Sequence, residues 1–266
     1  MNIQQLLEGG QARYHSARDY DIDELEHLEE LLESRCSNAM AVYKEHPHSV
    51  LLRGVRGNRN DVFIQDTRST TRTAENTDNY VTLFSEVLPS WKHLPPRSKV
   101  ISTSANMTMA LDYADDDPNN VFVIVPTNEA TLTYVGATDF WGSLPMIYTV
   151  LGSGSGVSAF NMWFRKLLRA AGAQTPSTAQ ELLEWCKRFD SVAKAHEFSE
   201  VDQKNPLLVA YKKAGKPMLQ FIDRILDPVN AVTSTNGRIL PEEMRQEVAI
   251  YGEAVYVRHA VWELLF

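Results

Sequence analysis

The chain has 266 residues, of which 44% are hydrophobic, and it carries a formal net charge of −8. This length and apolar content suffice for one large domain. An acidic surface repels phosphate backbones, and the densest basic group, Arg53, Arg56 and Arg59, spans only one short segment. General nucleic-acid binding is therefore not expected. A membrane span is not expected either, because no segment approaches ~18 consecutive apolar residues.

The cysteines and histidines give no sign of a metal site or of a disulfide framework. The two cysteines are Cys36 and Cys186, and neither belongs to a CxxC pair. The seven histidines never fall in an HxH or HxxxH pattern. We therefore expect no bound metal. The N-terminal segment lacks the apolar core of a signal peptide, so the expected compartment is the cytoplasm.

The N-terminal part of the chain predicts helices, one short strand and a long loop. Residues 1–45 carry leucines at helical spacing among acidic residues, which predicts helices. The segment 49–57 begins as a short apolar strand and breaks at glycines. Residues 58–79 are polar without apolar periodicity, which predicts a loop. Residues 79–91 predict a helix that is stopped by Pro89.

Three hydroxyl residues stand where a predicted strand passes into a predicted helix. The apolar pair Val100-Ile101 leads into Ser102-Thr103-Ser104, and Met107, Ala110 and Leu111 then recur at helical spacing. One hydroxyl is enough to accept a hydrogen bond from the first turn of a helix. The other two hydroxyls therefore require a second explanation.

The rest of the chain predicts strands on both sides of a helical block. β-Branched and aromatic residues predict strands at 119–126 and 130–137. After a flexible link at 151–158, prolines and glycines separate three predicted helices, at 158–171, 178–196 and 206–226. Two further strands are predicted within 246–265, meeting at Tyr251-Gly252.

This order of elements predicts a single α+β domain, because regular alternation of strand and helix is missing. Its β-rich parts are 49–57, 98–150 and 246–262. Helices precede them at 1–45, and we expect a helical insertion at 152–230.

Three chemically distinctive features follow one another along the chain. Arg53 precedes Gly54 in LLRG on an early predicted strand, and Ser102-Thr103-Ser104 ends another strand. Glu247 opens a late strand, in RQEVAIYG, after a polar loop. This Arg … Ser-Thr-Ser … Glu order resembles the R-STS-E branch of the mono-ADP-ribosyltransferase family, and it is similar to phage-encoded and other bacterial members. The resemblance covers roughly residues 49–145 and 240–262.

The resemblance implies two small β-sheets around an NAD cleft. The implied reaction cleaves NAD between nicotinamide and ribose and transfers ADP-ribose to a macromolecular target, a protein in preference to a nucleic acid. Glu247 would be catalytic, together with Ser102, which would orient it. The residues assigned to NAD binding are Arg53, Gly54, Thr103 and Ser104. Thr103 would also brace the strand, and Ser104 would line the ribose pocket or cap the helix.

The chemistry of these residue types fits that reaction. An arginine fork can hold the anionic pyrophosphate of NAD bidentately. Loss of nicotinamide builds an oxocarbenium-like cation, which a neighbouring carboxylate stabilises electrostatically. Serine and threonine hydroxyls can orient that carboxylate without adding charge. This role answers why more than one hydroxyl stands at the junction.

The chain departs from the family pattern in three places. The residue two before Glu247 is Arg245, where many members carry Glu or Gln, which argues against arginine as the acceptor; Glu242 or Glu243 could replace that acid from the loop. The number of residues between Ser104 and Glu247 is large for the family. Glu253, in YGEAVYV, offers a competing assignment for the catalytic acid, although the sequence around Glu247 fits the family better.

Two other functions remain open at this point. The chain could be a phage or bacterial structural or interaction protein that keeps this fold without activity. It could also be an NAD glycohydrolase that uses the same site. Turnover of NAD separates the enzymes from the inactive protein, and transfer of a label to a lysate separates the two enzymes.

Overall fold

The computed structural model describes residues 20–47, 49–57, 59–69, 79–135, 144–152, 156–229, 231–244 and 247–266. Its α-helices are α1 (Ile22–Glu45), α2 (Tyr80–Phe84), α3 (Met107–Tyr113), α4 (Pro145–Leu151), α5 (Val157–Ala170), α6 (Ala179–Ala195), α7 (Glu200–Gln203), α8 (Pro206–Ala214), α9 (Met218–Ile225) and α10 (His259–Leu265). Its strands are β1 (Leu51–Gly54), β2 (Val62–Asp66), β3 (Ile101–Thr103), β4 (Val121–Pro126), β5 (Thr131–Tyr134), β6 (Val232–Ser234), β7 (Val248–Tyr251) and β8 (Glu253–Arg258). The protein is therefore of the α+β class, as the sequence predicts.

The chain divides into two compact units. The described residues of the first lie within 20–69, 99–135 and 232–266, and they contain every described strand. Those of the second lie within 79–98 and 144–231, and their regular elements are helices. The helical unit is thus larger than the insertion expected at 152–230. The difference arises because α2 and α4, which both precede residue 152 in sequence, belong to the helical unit.

The first unit contains two antiparallel four-stranded sheets. The first sheet has the order β1-β4-β8-β2, and the second has the order β3-β7-β5-β6. In the first sheet β4 is central, and all six of its residues are buried. A pair of backbone hydrogen bonds joins the two sheets between Leu52 and Ser104, with N···O distances of 2.7 and 2.8 Å.

Helix α1 packs against the first sheet. Asp21 caps the helix by accepting a hydrogen bond from the backbone N–H of Glu24 at 2.8 Å, and Asp23 and Glu24 place negative charge in its first turn. The buried Tyr43 hydroxyl donates to the Ile124 carbonyl at 2.8 Å and accepts from the Leu51 N–H at 3.2 Å. These bonds fix the C-terminal half of α1 over β1 and β4.

Three sequence predictions are wrong in part. The loop predicted at 58–79 contains β2, an edge strand whose apolar run is too short to show a period. The β-rich segment predicted at 98–150 contains the start of α4, whose β-branched residues favour a strand locally. The strand predicted to the end of 246–265 becomes α10, because a short apolar run is compatible with either element.

The other predictions agree with the described residues. Helix α1 lies within 1–45, and α5 and α6 lie at the predicted positions. The helix predicted at 206–226 is present as α8 and α9, separated by a left-handed Gly215 and by Pro217. Parts of several predicted segments, namely 1–19, 70–78, 136–143, 153–155 and 245–246, lie outside the described residues.

The two thiols should be inert in the folded protein. Cys36 and Cys186 are both buried, and burial raises the pKa of Cys36 to about 12 and raises the pKa of Cys186 as well. At pH 8 a thiol-specific reagent should modify neither in native protein and both in urea. Above about pH 8.5 the unfolded chain loses thiol protons that the native state keeps, so the free energy of unfolding should fall. Urea titrations at pH 8 and pH 10 measure this fall, and rapid native labelling would contradict it.

Candidate functional site

Arg53 connects the edge of the first sheet to the hydroxyl-bearing strand. It is half-buried on β1, an edge strand. Its Nη1 donates a hydrogen bond to the backbone carbonyl oxygen of Ser102 on β3. The backbone bonds between Leu52 and Ser104 lie beside this contact and hold the two strands together. The fold therefore brings two of the three sequence features into direct contact.

The register of the second sheet brings Glu247 next to the serines. Ser102 pairs with Ala249 and Thr103 with Val248, so continuing the register by one residue places Glu247 opposite Ser104. Side chains alternate along a strand, and directly opposed residues share a face. The pairing itself ends at Thr103 and Val248, and its extension in the same register puts Ser102, Ser104 and Glu247 on one face. Ser102 and Glu247 are diagonal neighbours there, about 7–8 Å apart between Cα atoms.

Thr103 belongs to the other face of the same sheet. Its side chain is 3% exposed, and its hydroxyl donates to the Val248 carbonyl oxygen at 2.7 Å. This bond fixes β3 against β7 one residue away from Ser102 and Glu247. Thr103 thus braces the strand, as the resemblance implies, and the assigned NAD contact of Thr103 has no counterpart on the face that carries the serines.

Ser104 shapes the turn between β3 and α3 but is not the helix cap. Its hydroxyl accepts a hydrogen bond from the Asn106 N–H at 2.9 Å. The cap is Asn106, whose side chain accepts from the Thr108 N–H at 2.8 Å. The capping alternative for Ser104 is wrong because the chain needs two more residues to turn before the helix begins.

Gly54 acts through the absence of a side chain. A Cβ atom at this position would lie 2.2 Å from the Ala110 carbonyl oxygen and 2.5 Å from the Ala114 nitrogen. The backbone of β1 therefore touches the backbone of α3, and no substituent fits between them. Gly54 sets the position of the helix that follows the serines.

Gly54→Ala should destabilise the protein by about 1–3 kcal/mol or more, because both clashing atoms are backbone and cannot change rotamer. The matched control is Gly156→Ala, at φ −90°, where the added Cβ would approach only the Tyr148 hydroxyl at 4.0 Å. Urea unfolding of both variants measures the difference. Equal unfolding free energies for the two variants would contradict the close approach of β1 and α3.

The site face includes a residue that sequence reasoning missed. Thr133 on β5 pairs with Ala249, so it shares the face of Ser102 and Glu247. It is 2% exposed, and its hydroxyl has no hydrogen-bond partner among the described residues. Alternation in ATLTYVGA places Thr131 and Thr133 on one face, which is the signal that could have found it.

The competing acid, Glu253, lies elsewhere. It opens β8 in the first sheet, and its carboxylate accepts a hydrogen bond from Arg35 on α1 at 2.6 Å. Phe122 on β4 pairs with Arg53 on one side and with Arg258 of β8 on the other. Glu253 lies five residues before Arg258 on the same strand. Five residues of strand span about 17 Å. The geometry therefore favours Glu247 over Glu253 as the acid beside Arg53 and Ser102.

The acids of the preceding loop lie close to Glu247 in sequence. Glu242 is exposed and Glu243 half-buried on a single turn of 3₁₀-helix, Pro241–Glu243. Arg245, the departure from the family pattern, lies outside the described residues.

Comparisons with protein-family models, with curated proteins and with solved structures found no match to this chain. In the described part of the chain, no helix combines the length and the apolar character that crossing a membrane requires.

Proposed function

We propose that this protein is a mono-ADP-ribosyltransferase that uses NAD as a substrate and acts in the cytoplasm. The observation that carries the proposal is the position of Arg53, Ser102 and Glu247. These residues lie far apart in sequence, and the paired strands β1, β3 and β7 bring them to one region of the first unit. If the three residues matched the family pattern only by chance, nothing would require them to lie close together in the fold.

Each of the three residues has a distinct chemical role in this proposal. The Arg53 guanidinium holds the pyrophosphate of NAD, and its bond to the Ser102 carbonyl fixes the guanidinium in place. The Glu247 carboxylate stabilises the cation that develops on the ribose as nicotinamide leaves. The Ser102 hydroxyl, on the same face, orients that carboxylate or a ribose hydroxyl. The family's pair of sheets around an NAD cleft is the finer fold class that we propose.

The proposed reaction replaces one bond to the anomeric carbon by another. The bond from this carbon to the nicotinamide nitrogen breaks, and its electron pair leaves with neutral nicotinamide. A nucleophilic atom of the acceptor then bonds to the same carbon and gives up its proton. We propose a protein acceptor, because a net charge of −8 disfavours approach of nucleic acid. Arg245 stands where many members of the family carry Glu or Gln, and this disfavours an arginine side chain as that acceptor.

Incubation with NAD labelled on the adenylate phosphate, in the presence of a bacterial lysate, tests this function. The proposal predicts free nicotinamide together with label in acid-precipitable material that a protease releases and a nuclease does not. Nicotinamide with free ADP-ribose only would identify a glycohydrolase, with water as the acceptor. No nicotinamide at all would contradict the enzymatic proposal and favour an inactive interaction protein.

A further inference from the structure

One row of residues crosses the face of the second sheet that carries Ser102. Ala249 of β7 is paired with Ser102 of β3 on one side and with Thr133 of β5 on the other. Thr133 is paired in turn with Thr233 of β6. Directly opposed residues share a face, so the row places three hydroxyl side chains and one small alanine on the same face.

Thr133 differs from the other two hydroxyl residues of the row in its burial. Ser102 is half-buried and Thr233 is exposed, so water can reach both of them. Thr133 is only 2% exposed, and in the part of the chain that the structure describes its hydroxyl makes no hydrogen bond. Leaving a buried hydroxyl unpaired is costly, and a valine would fill nearly the same volume without this cost. Packing alone therefore does not explain the hydroxyl.

Thr133 and Ser102 occupy equivalent positions on the two sides of Glu247. Both are opposite Ala249, and Glu247 precedes Ala249 by two residues. When the register of β7 is extended by one residue at this end, Glu247 is a diagonal neighbour of both, about 7–8 Å away between Cα atoms. A long side chain reaches across such a diagonal. The Glu247 carboxylate can thus accept a hydrogen bond from a hydroxyl on either side.

We propose that Thr133 is a positioning residue for the transferase, and that its hydroxyl donates a hydrogen bond to the Glu247 carboxylate once NAD is bound. The inference rests on the proposed function. The ribose draws the carboxylate over the face between β3 and β5, where Ser102 lies on one side and Thr133 on the other. A hydroxyl holds the carboxylate against the developing cation without adding a charge that would oppose it. The unpaired hydroxyl of the free protein is thus a donor ready for the complex.

Steady-state kinetics of nicotinamide release test this role in Thr133→Val, which removes the hydroxyl and keeps the shape of the side chain. We expect kcat to fall about 10-fold or more, because a hydrogen bond to a charged group is lost. KM for NAD should change little, since Thr133 acts through Glu247 and does not touch NAD. Thr133→Ser, which keeps the hydroxyl, should restore most of the rate.

Two matched variants control for rate and for stability. Thr233→Val makes the same change in the same row, one strand further from Glu247, and should leave kcat unchanged. Urea unfolding gives a second measurement that needs no turnover. The free energy of unfolding of Thr133→Val should not fall, because the deleted hydroxyl has no partner among the described residues. That of Thr103→Val should fall, because its hydroxyl donates to the Val248 carbonyl oxygen at 2.7 Å.

The parent protein separates failure of this inference from failure of the proposed function. If the parent cleaves NAD and Thr133→Val is equally fast, the hydroxyl binds only a trapped water and the positioning role is overturned. A loss of stability in Thr133→Val as large as that in Thr103→Val would overturn it too, since the hydroxyl would then be paired in the free protein. A parent that cleaves no NAD would refute the proposed function, and the positioning role with it.

Discussion

Glu247→Gln should lower the rate of nicotinamide release from NAD on the order of 10³-fold or more, as loss of a preorganised charge at a developing cation does. The amide keeps the shape of the side chain but carries no negative charge, so the fold and the affinity for NAD should change little. Single-turnover release of nicotinamide measures the rate. A fluorescence or calorimetric titration with NAD measures the affinity.

Glu253→Gln is the matched control for this experiment. It makes the same chemical change on a strand of the other sheet and removes an ion pair with Arg35 that is partly exposed to solvent. Surface ion pairs contribute little, so Glu253→Gln should keep both activity and stability. An inactive Glu253→Gln beside an active Glu247→Gln would show that the catalytic acid is Glu253.

Asp61→Asn should have the largest effect on stability, lowering the free energy of unfolding by about 3–5 kcal/mol. The side chains of Asp61 and Arg258 are only 3% and 6% exposed, and their contact is a buried ion pair. Removing the carboxylate charge leaves a buried guanidinium without a counter-charge, and this is costly in a medium that solvates ions poorly. Urea unfolding measures the loss.

Asp66→Asn gives the comparison at a solvated pair nearby in sequence. Asp66 bonds to Arg68 at 2.9 Å, and 30% and 42% of their side chains are exposed. Solvent screens this pair, so the substitution should change stability little. A loss of stability in Asp61→Asn as small as that in Asp66→Asn would show that the Arg258 guanidinium is hydrated and that its ion pair with Asp61 is not buried.

Much of the fold could be predicted where local pattern and tertiary burial agree. The run VFVIVP is apolar throughout because β4 is covered on both faces. The break between β7 and β8 could be predicted because the sequence places a glycine, Gly252, between two apolar runs. In the structure this residue adopts φ +110°, a conformation that favours glycine. Strand β2 could not be predicted in the same way. It is an edge strand whose residues are mostly half-buried, so its sequence shows no clear alternation of apolar and polar residues. Its extended conformation depends on its pairing with β8.

The candidate site was predictable in its residues and not in its geometry. The order of Arg53, Ser102 and Glu247 is visible in the sequence, whereas the hydrogen bond that joins Arg53 to Ser102 depends on the contact between two sheets. Arg258 looks like an ordinary strand residue in EAVYVR, and its buried ion pair with Asp61 becomes visible only when the neighbouring segments are in place.

A crystal structure of Glu247→Gln with NAD is the most direct test of the proposed site, because this variant should hold NAD without cleaving it. The account predicts the pyrophosphate within hydrogen-bonding distance, about 2.7–3.2 Å, of the Arg53 guanidinium. It also predicts the nicotinamide ribose against Ser102 and the residue 247 side chain. NAD bound away from Arg53, or a residue 247 side chain directed away from the ribose, would contradict the central claim.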